Sequence, residues 1–222
     1  EMCIRDRSID NVKNYISTVR RDFADKPFSE DMASDDPFQQ YAVWFQEAMD
    51  SQILDPYAAC LSTATKDGIV SSRMLYIRGV NDDGFIFYTN YNSNKGQEID
   101  QNKHGALNVF WGELERQIRI EGKIQKVSSV TSDQYFNARP RASQLGAWAS
   151  NQSKILKDRG ELTDRLTYYE QKFSNMPVPR PPHWGGFCLM PVKVEFWQGR
   201  PSRLHDRIAV SYTHLRAHET IA

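Results

Sequence analysis

The 222-residue sequence lacks an excess of charge of either sign, because 28 lysines and arginines balance 28 aspartates and glutamates. That balance argues against a nucleic-acid or anionic-membrane partner held by bulk electrostatics. No apolar run approaches the ~20 residues of a membrane helix, and the opening stretch, Glu1 to Arg7, is too polar for a secretory signal. Cysteine is scarce. Cys3, Cys60 and Cys188 are scattered, odd in number for disulfides and unpaired in spacing for zinc, so a reducing, cytoplasmic setting is expected. Of the five histidines, His104, His183 and His205 are isolated and only His214 and His218 stand four apart, and no metal is expected. There is no Gly-x-Gly-x-x-Gly or Walker loop and no Gly-x-Ser-x-Gly elbow, which removes the familiar nucleotide-binding and serine-hydrolase signatures. Asp82-Asp83 and Glu113/Glu115 fall in turns and read as solvated rather than as an acid/base pair.

Aromatic residues, at 12%, are plentiful for so polar a chain, and the length suffices for one large domain with a proper core. Ile9, Val12, Ile16 and Val19 predict a helix within Ser8–Phe23, ending in Arg20 and Arg21. Lys26 to Asp36, broken by Pro27, reads as a linker or arm. Asp36-Pro37 is a helix start, and Phe38, Tyr41, Phe45 and Met49, with Val43 and Trp44, continue it to about Ile53 as a face that packs over a sheet. From Tyr57 the pattern changes to strands: 58–65, a turn at Asp67-Gly68, 69–80, a turn at 81–84, and 85–89. Ser93 caps a helix from Asn94 to Asn102. Strands follow at 106–111 and 115–127, the second with Gln117, Arg119 and Glu121 on its polar face. Thr131 is the expected cap of a helix to Ala138, with further helical segments at 143–150 and 161–173. Met176 to Pro182 holds four prolines and must be extended. A last strand from Trp184 leads through Gly199 and Pro201 into a second one, in which Arg203, His205 and Arg207 would share a face. The fold class expected is mainly β (α+β): an antiparallel, six-stranded split β-barrel with peripheral helices.

Candidate chemistry clusters in four places. Two guanidiniums and an imidazole in the last hairpin suit an anionic, planar ligand, although a solvated hairpin with Asp206 neutralising an arginine fits the same residues. Ser72-Arg73, with Arg78 beyond it, lies on a strand. Thr89 to Lys95 joins a strand end to a helix start, where free N–H groups and a lysine can hold phosphate. Tyr135, Arg139 and Ser143 recur at helical spacing and would grip a second phosphate. On physics alone the reading stops at a β-rich domain for phosphorylated, planar ligands.

The chain resembles the pyridoxine (pyridoxamine) 5′-phosphate oxidase family of FMN-dependent split barrels. The resemblance runs from about Ser8 to Ile208 and rests on Asp36-Pro37-Phe38, Ser72-Arg73-Met74-Leu75, Tyr88-Thr89-Asn90, Glu115-Arg116-Gln117, Arg139-Pro140-Arg141-Ala142-Ser143-Gln144-Leu145-Gly146-Ala147-Trp148, Trp184-Gly185-Gly186 and the hairpin from Glu195 to Arg207. It implies a homodimer with FMN in clefts at the subunit interface. It further implies oxidation of pyridoxine or pyridoxamine 5′-phosphate to pyridoxal 5′-phosphate, with oxygen as acceptor and hydrogen peroxide as product. Cofactor contacts carry over to Arg73, Met74, Leu75, Tyr76, Ile77, Arg78, Tyr88, Thr89, Asn94, Lys95, Gln117, Gln152, Ser153, Trp197 and Arg207. Substrate contacts carry over to Arg78, Tyr135, Arg139, Ser143, Arg203, Leu204 and His205. Arg203 and His205 are the catalytic pair, orienting the substrate rather than serving as an obligatory base. The Arg20–Phe23 segment matches a stretch that can cover the substrate.

Three departures accompany the resemblance. Asn94 stands where the family usually has arginine, and Arg78 where lysine is common. The ends, 1–7 and 210–222, fit no part of the pattern and read as non-native extensions; His214 and His218 are therefore not taken as ligands, and the family's usual final strand is not evident. The domain organisation expected is thus an arm and helix over 8–56 and the FMN-binding barrel over 57–209. A catalytically weak FMN- or pyridoxal-phosphate-binding protein and an FMN oxidase of another ring are the alternative functions.

Overall fold

The computed structural model describes residues 9–211 and 218–220. Glu1–Arg7, the notional N-terminal extension, and His214 lie outside the described residues. The helices are α1 (Ile9–Thr18), α2 (Pro37–Asp50), α3 (Asn94–Gln101), α4 (Ser129–Asn137), α5 (Arg141–Ala149) and α6 (Arg159–Lys172). The strands are β1 (Ala58–Ala64), β2 (Val70–Tyr76), β3 (Gly79–Asn81), β4 (Gly84–Asn90), β5 (His104–Trp111), β6 (Arg116–Lys126), β7 (Trp184–Gln198), β8 (Asp206–Ser211) and β9 (His218–Thr220). All are joined antiparallel in one sheet of order β2-β1-β5-β6-β7-β4-β3, with β8 and then β9 added beyond β7. Part of the 210–222 segment therefore continues the sheet through β8 and β9.

Alternation places one face of β1, β5 and β6 inside, whereas β4 and the first part of β7 are buried on both faces. Leu61, Leu107, Val109, Ile118, Ile120, Phe85, Phe87 and Phe196 are fully buried or nearly so. Each such aliphatic or phenyl side chain contributes about 1.5–3 kcal/mol through removal from water. Helix α2 closes this core. Asp36 caps it through an acceptor bond from Phe38 N–H, with Pro37 in the first turn. Its inner seam is Tyr41, Trp44 and Ala48; Trp44 meets Phe196 edge-on at 5.3 Å and Tyr41 meets Phe85 at 5.0 Å. Val43 and Met49, expected on the packing face, are exposed.

Four boundaries differ from expectation. The 69–80 strand is two strands, because Ile77 N–H bonds Tyr57 O and the next residue, Arg78, bonds Ile86 O. The chain changes partner there, from β1 to β4, and the sheet curls toward closure. Ser128, not Thr131, caps α4, its Oγ accepting from Thr131 N–H. Phe28 is buried against Trp44 at 4.8 Å, so the 26–36 arm is seated on the core rather than a free linker. Among the described residues the sheet holds nine strands rather than six, once the divided strand and β8 and β9 are included.

Candidate active site

A cavity of about 930 Å³ opens between the outer edge of β2, the end of β4, the start of α3 and the α4–α5 corner. Among the described residues strand β2 is an edge, paired only with β1; its residues 73–76, and Arg78 just beyond it, line the cavity. Arg73 reaches back over the barrel rim. Its Nη1 donates to Thr63 Oγ1 and, at 3.4 Å, to Leu61 O; its Nη2 donates to Ser71 Oγ and, at 3.1 Å, to Glu98 Oε2. Arg78 lies over the rings of Tyr57 and Tyr76, at 5.0 and 4.8 Å. Both phenols donate to Asp55, and those bonds, with a smaller contribution from Arg78, hold its carboxyl below the usual range.

At the far wall, β4 delivers Tyr88, Thr89 and Asn90, and Ser93 then caps α3 by accepting from Gly96 N–H. Lys95 sits in the first turn, at the positive end of the helix dipole, where a cation is disfavoured. Its Nζ has only long contacts, 3.4 Å to Thr89 Oγ1, 3.4 Å to Gln152 Oε1 and 3.5 Å to Ser93 Oγ. Burial, and next the Arg73 charge, push its ammonium below the ordinary lysine range. An anion at this point would relieve both effects.

The third wall is aromatic. Tyr88 and Tyr135 stack at 3.7 Å and 5°, and Trp184 continues the stack at 5.6 Å from Tyr88. Arg139, between α4 and α5, lies 4.6 Å over the Trp184 ring. Its Nη1 is buried with no hydrogen-bond partner, and burial lowers the guanidinium's pKa. Four cations, Arg73, Arg78, Lys95 and Arg139, therefore line one cavity, and no acidic side chain is among its lining residues.

Of the residues expected at the site, Arg73, Met74, Leu75, Tyr76, Arg78, Tyr88, Thr89, Lys95, Gln152, Tyr135, Arg139 and Ser143 line this cavity. Ile77 is buried in the core, and Asn94 and Ser153 are exposed without lining it. Tyr135 is in the last turn of α4 while Arg139 lies beyond the helix, so they share the cavity but not one helical face. Trp184, Gly146, Ala147 and Ser150 also line it and were not anticipated. Counted from Ser143, the last three fall at i+3, i+4 and i+7, which is one face of α5 running into its cap and could have been read from the sequence.

Gln117, Trp197 and Arg207 lie elsewhere, opposite one another across β6, β7 and β8. The expectation that Arg203, His205 and Arg207 share a strand face does not hold. Pro201–Arg203 form a tight turn with Ser202 and Arg203 at φ 56° and 63°, and the strand begins only at Asp206. The cause is the half-buried Arg200, whose guanidinium pairs with Asp206 at 3.2 Å and Asp25 at 2.9 Å. His205 instead packs on Trp197 at 4.7 Å, and its Nδ1 accepts Arg200 N–H at 3.1 Å, so the neutral ring carries its proton on Nε2. Phe23 stands edge-on to both rings, held by Glu115, whose two carboxylate oxygens accept from Arg21 and Ala24 N–H. Arg203 and Leu204 are exposed at the tip.

A family model described as pyridoxamine 5′-phosphate oxidase matches residues 45–173, and one described as the pyridoxine 5′-phosphate oxidase C-terminal dimerisation region matches 184–218. A pyridoxine/pyridoxamine 5′-phosphate oxidase from Acaryochloris marina is 48% identical over 92% of this chain and 94% of its own length. The chain belongs to the pyridoxine/pyridoxamine 5′-phosphate oxidase family. It is accordingly an oxidoreductase with the split-barrel fold. A family member from Cytophaga hutchinsonii is 46% identical over 89% of this chain and 92% of its own. Among solved structures, PhzG from Burkholderia lata 383, in complex with tetrahydrophenazine-1-carboxylic acid, superposes with a TM-score of 0.82 at 29% identity, covering 89% of this chain and 97% of that one. A pyridoxamine 5′-phosphate oxidase-related, FMN-binding protein from Nostoc punctiforme shares the fold, with a TM-score of 0.67, 18% identity and coverage of 84% and 98%. The family's dimerisation region covers β7 and β8, the strands that carry Trp197 and Arg207. Among the described residues no helix is long and apolar enough to cross a membrane.

Proposed function

We propose that the chain oxidises pyridoxine 5′-phosphate or pyridoxamine 5′-phosphate to pyridoxal 5′-phosphate, with FMN as cofactor, as a cytoplasmic homodimer. The observation that carries this reading is the four-cation cavity with an aromatic wall, in a member of this family. The residues fit FMN and a second phosphate. Lys95 has long contacts only, at a helix N-terminus, and Arg139 Nη1 is an orphaned buried donor; both are completed by an anion. A cavity of about 930 Å³ is of the size that encloses a cofactor and small substrate together.

In this reading Lys95, Thr89 and Gln152, with Arg73 behind them, hold the FMN phosphate, and residues 74–78 and Tyr88 bound the cofactor along the open edge of β2. Gln117, Trp197 and Arg207 of a second copy complete the cofactor site, because they lie outside the cavity of their own protomer. Arg78, Tyr135, Arg139 and Ser143 bind the substrate phosphate through charge-assisted bonds. The chemistry that FMN supplies when bound is two-electron oxidation at the substrate's 4′ carbon, with dioxygen as final acceptor and hydrogen peroxide as product. Arg203 and His205 of the second copy fix the pyridine ring, so positioning supplies much of the rate. The Phe23 segment shields the hairpin from water.

Aerobic incubation of the purified protein with FMN and each phosphorylated substrate tests the reading. The expected result is aldehyde absorbance with equimolar peroxide, lost in Arg203→Ala; bound flavin with no turnover of either substrate would overturn it. A second reading, oxidation of a different ring, is favoured by the likeness to a structure that holds a tetrahydrophenazine carboxylate. Turnover of such a ring, and not of the pyridoxine compounds, would establish that one.

A further inference from the structure

Glu98 does not line the cavity, yet it meets the residue most obviously placed to bind phosphate. One carboxylate oxygen, Oε2, accepts from Ser71 Oγ at 2.7 Å, from Arg73 Nη2 at 3.1 Å and from Thr63 Oγ1. The Arg73 and Glu98 side chains are 21% and 14% exposed, so the pair is weakly screened. Four of the five guanidinium N–H groups of Arg73 are engaged inside the protein, by Thr63, Leu61 O, Ser71 and Glu98. A bidentate grip on a phosphate needs two of them free.

We propose that Glu98 is a built-in competitor of the cofactor phosphate: a positioning residue that holds Arg73 away from the ligand and sets the affinity for phosphorylated flavin below what the cations alone would give. The inference rests on the reading of this end of the cavity as the FMN phosphate site. With Glu98 charged, Arg73 and Lys95 together present a net charge of about +1 to the phosphate; without it they present about +2. The hydroxyls of Thr63 and Ser71 remain to orient Arg73 in either case. Burial acts against the carboxylate, but the three donors together hold it ionised, with its pKa below the usual range.

The test is titration of apoprotein into FMN and, separately, into riboflavin, followed by quenching of flavin fluorescence, for wild type, Glu98→Gln and Glu98→Ala. Glutamine retains an acceptor for Thr63, Ser71 and Arg73 and removes only the charge. The expected result is FMN binding about tenfold tighter in both variants, with riboflavin binding unchanged within about twofold, since only FMN carries the competing phosphate. A role in packing alone would move both ligands together. Unchanged or weaker FMN binding in Glu98→Gln overturns the inference, as does failure of both variants to give folded apoprotein, which would make Glu98 a residue of the fold. Wild-type protein that binds no FMN would instead sink the cofactor reading itself.

Discussion

Arg139 holds a charge half inside the wall between α4 and α5, resting on Trp184 and keeping one donor unpaired. A group in that state has most to gain from an anionic ligand. Arg139→Ala is expected to raise KM for the phosphorylated substrate roughly 30- to 100-fold, the equivalent of about 2–3 kcal/mol for a lost charge-assisted bond. FMN affinity, measured by fluorescence quenching, is expected to hold. Cys188 makes the opposite case: burial, with a smaller contribution from Asp83, pushes its thiol up to about 11. Its raised value means that the stability it contributes is full below the ionisation of an unfolded thiol and declines as pH rises toward 11. Alkylation at pH 8 followed by peptide mapping should therefore label Cys188 only after denaturation. Labelling in the native protein would show that the thiol is reachable and ionisable after all.

Helix α3 and the strand before it set the geometry of the cavity's positive end. Ser93 is fully buried, accepts from Gly96 N–H at 3.3 Å and donates to Asn90 O at 2.7 Å, so one hydroxyl joins β4 to the helix. Ser93→Ala should cost about 1 kcal/mol and lower Tm by about 2–4 °C, with weakened FMN binding because Lys95 loses its fixed turn. A sharper failure is expected in β6, where a Cβ on Gly122 would lie 2.0 Å from Met190 O beside a register shift; Gly122→Ala should cost about 3 kcal/mol or more in denaturant unfolding. These elements differ in how plainly the residues announce them. Asp36-Pro37, Ser93 and the Asp67-Gly68 turn signal their structure locally, because capping and turn formation are decided within four residues. The break after Tyr76 has no such signal, since Ile77 still bonds back to Tyr57 while Arg78 turns forward to Ile86, and neither residue type marks the exchange. The hairpin failed for a similar reason: alternation predicts a strand through Arg203, but the pairing of Arg200 with Asp206 and Asp25 closes a tighter turn. Within the site, the phosphate clusters were readable as charges beside caps, whereas Glu98 and Trp184 gain their meaning only from what the fold sets beside them.

At the level of the whole molecule, the residues expected to bind one cofactor divide between the cavity and the Gln117–Trp197–Arg207 row, which falls partly within the family's dimerisation region. Arg139→Ala and Arg207→Ala proteins, assayed with substrate near the wild-type KM so that each alone turns over little, then unfolded together and refolded in equal amounts, should therefore recover about a quarter of wild-type turnover. Half of the dimers would be mixed, and each of those would contain one intact site of two. No recovery would place both halves of the site in one chain. The division was invisible to pattern reading because strand register, not sequence distance, decides which face a residue joins. The open edge of β2 has a consequence of its own. Val70 and Met74 are each 66% exposed along a strand that, among the described residues, has a neighbour on one side only, which is the arrangement that invites strands of other molecules to add on. In the proposed reading, a cofactor seated there would act as a stopper on the sheet. Cells short of riboflavin would then lose this protein through clumping as well as through idleness, and light scattering of apoprotein against loaded protein at 37 °C should reveal it as faster aggregation of the empty form.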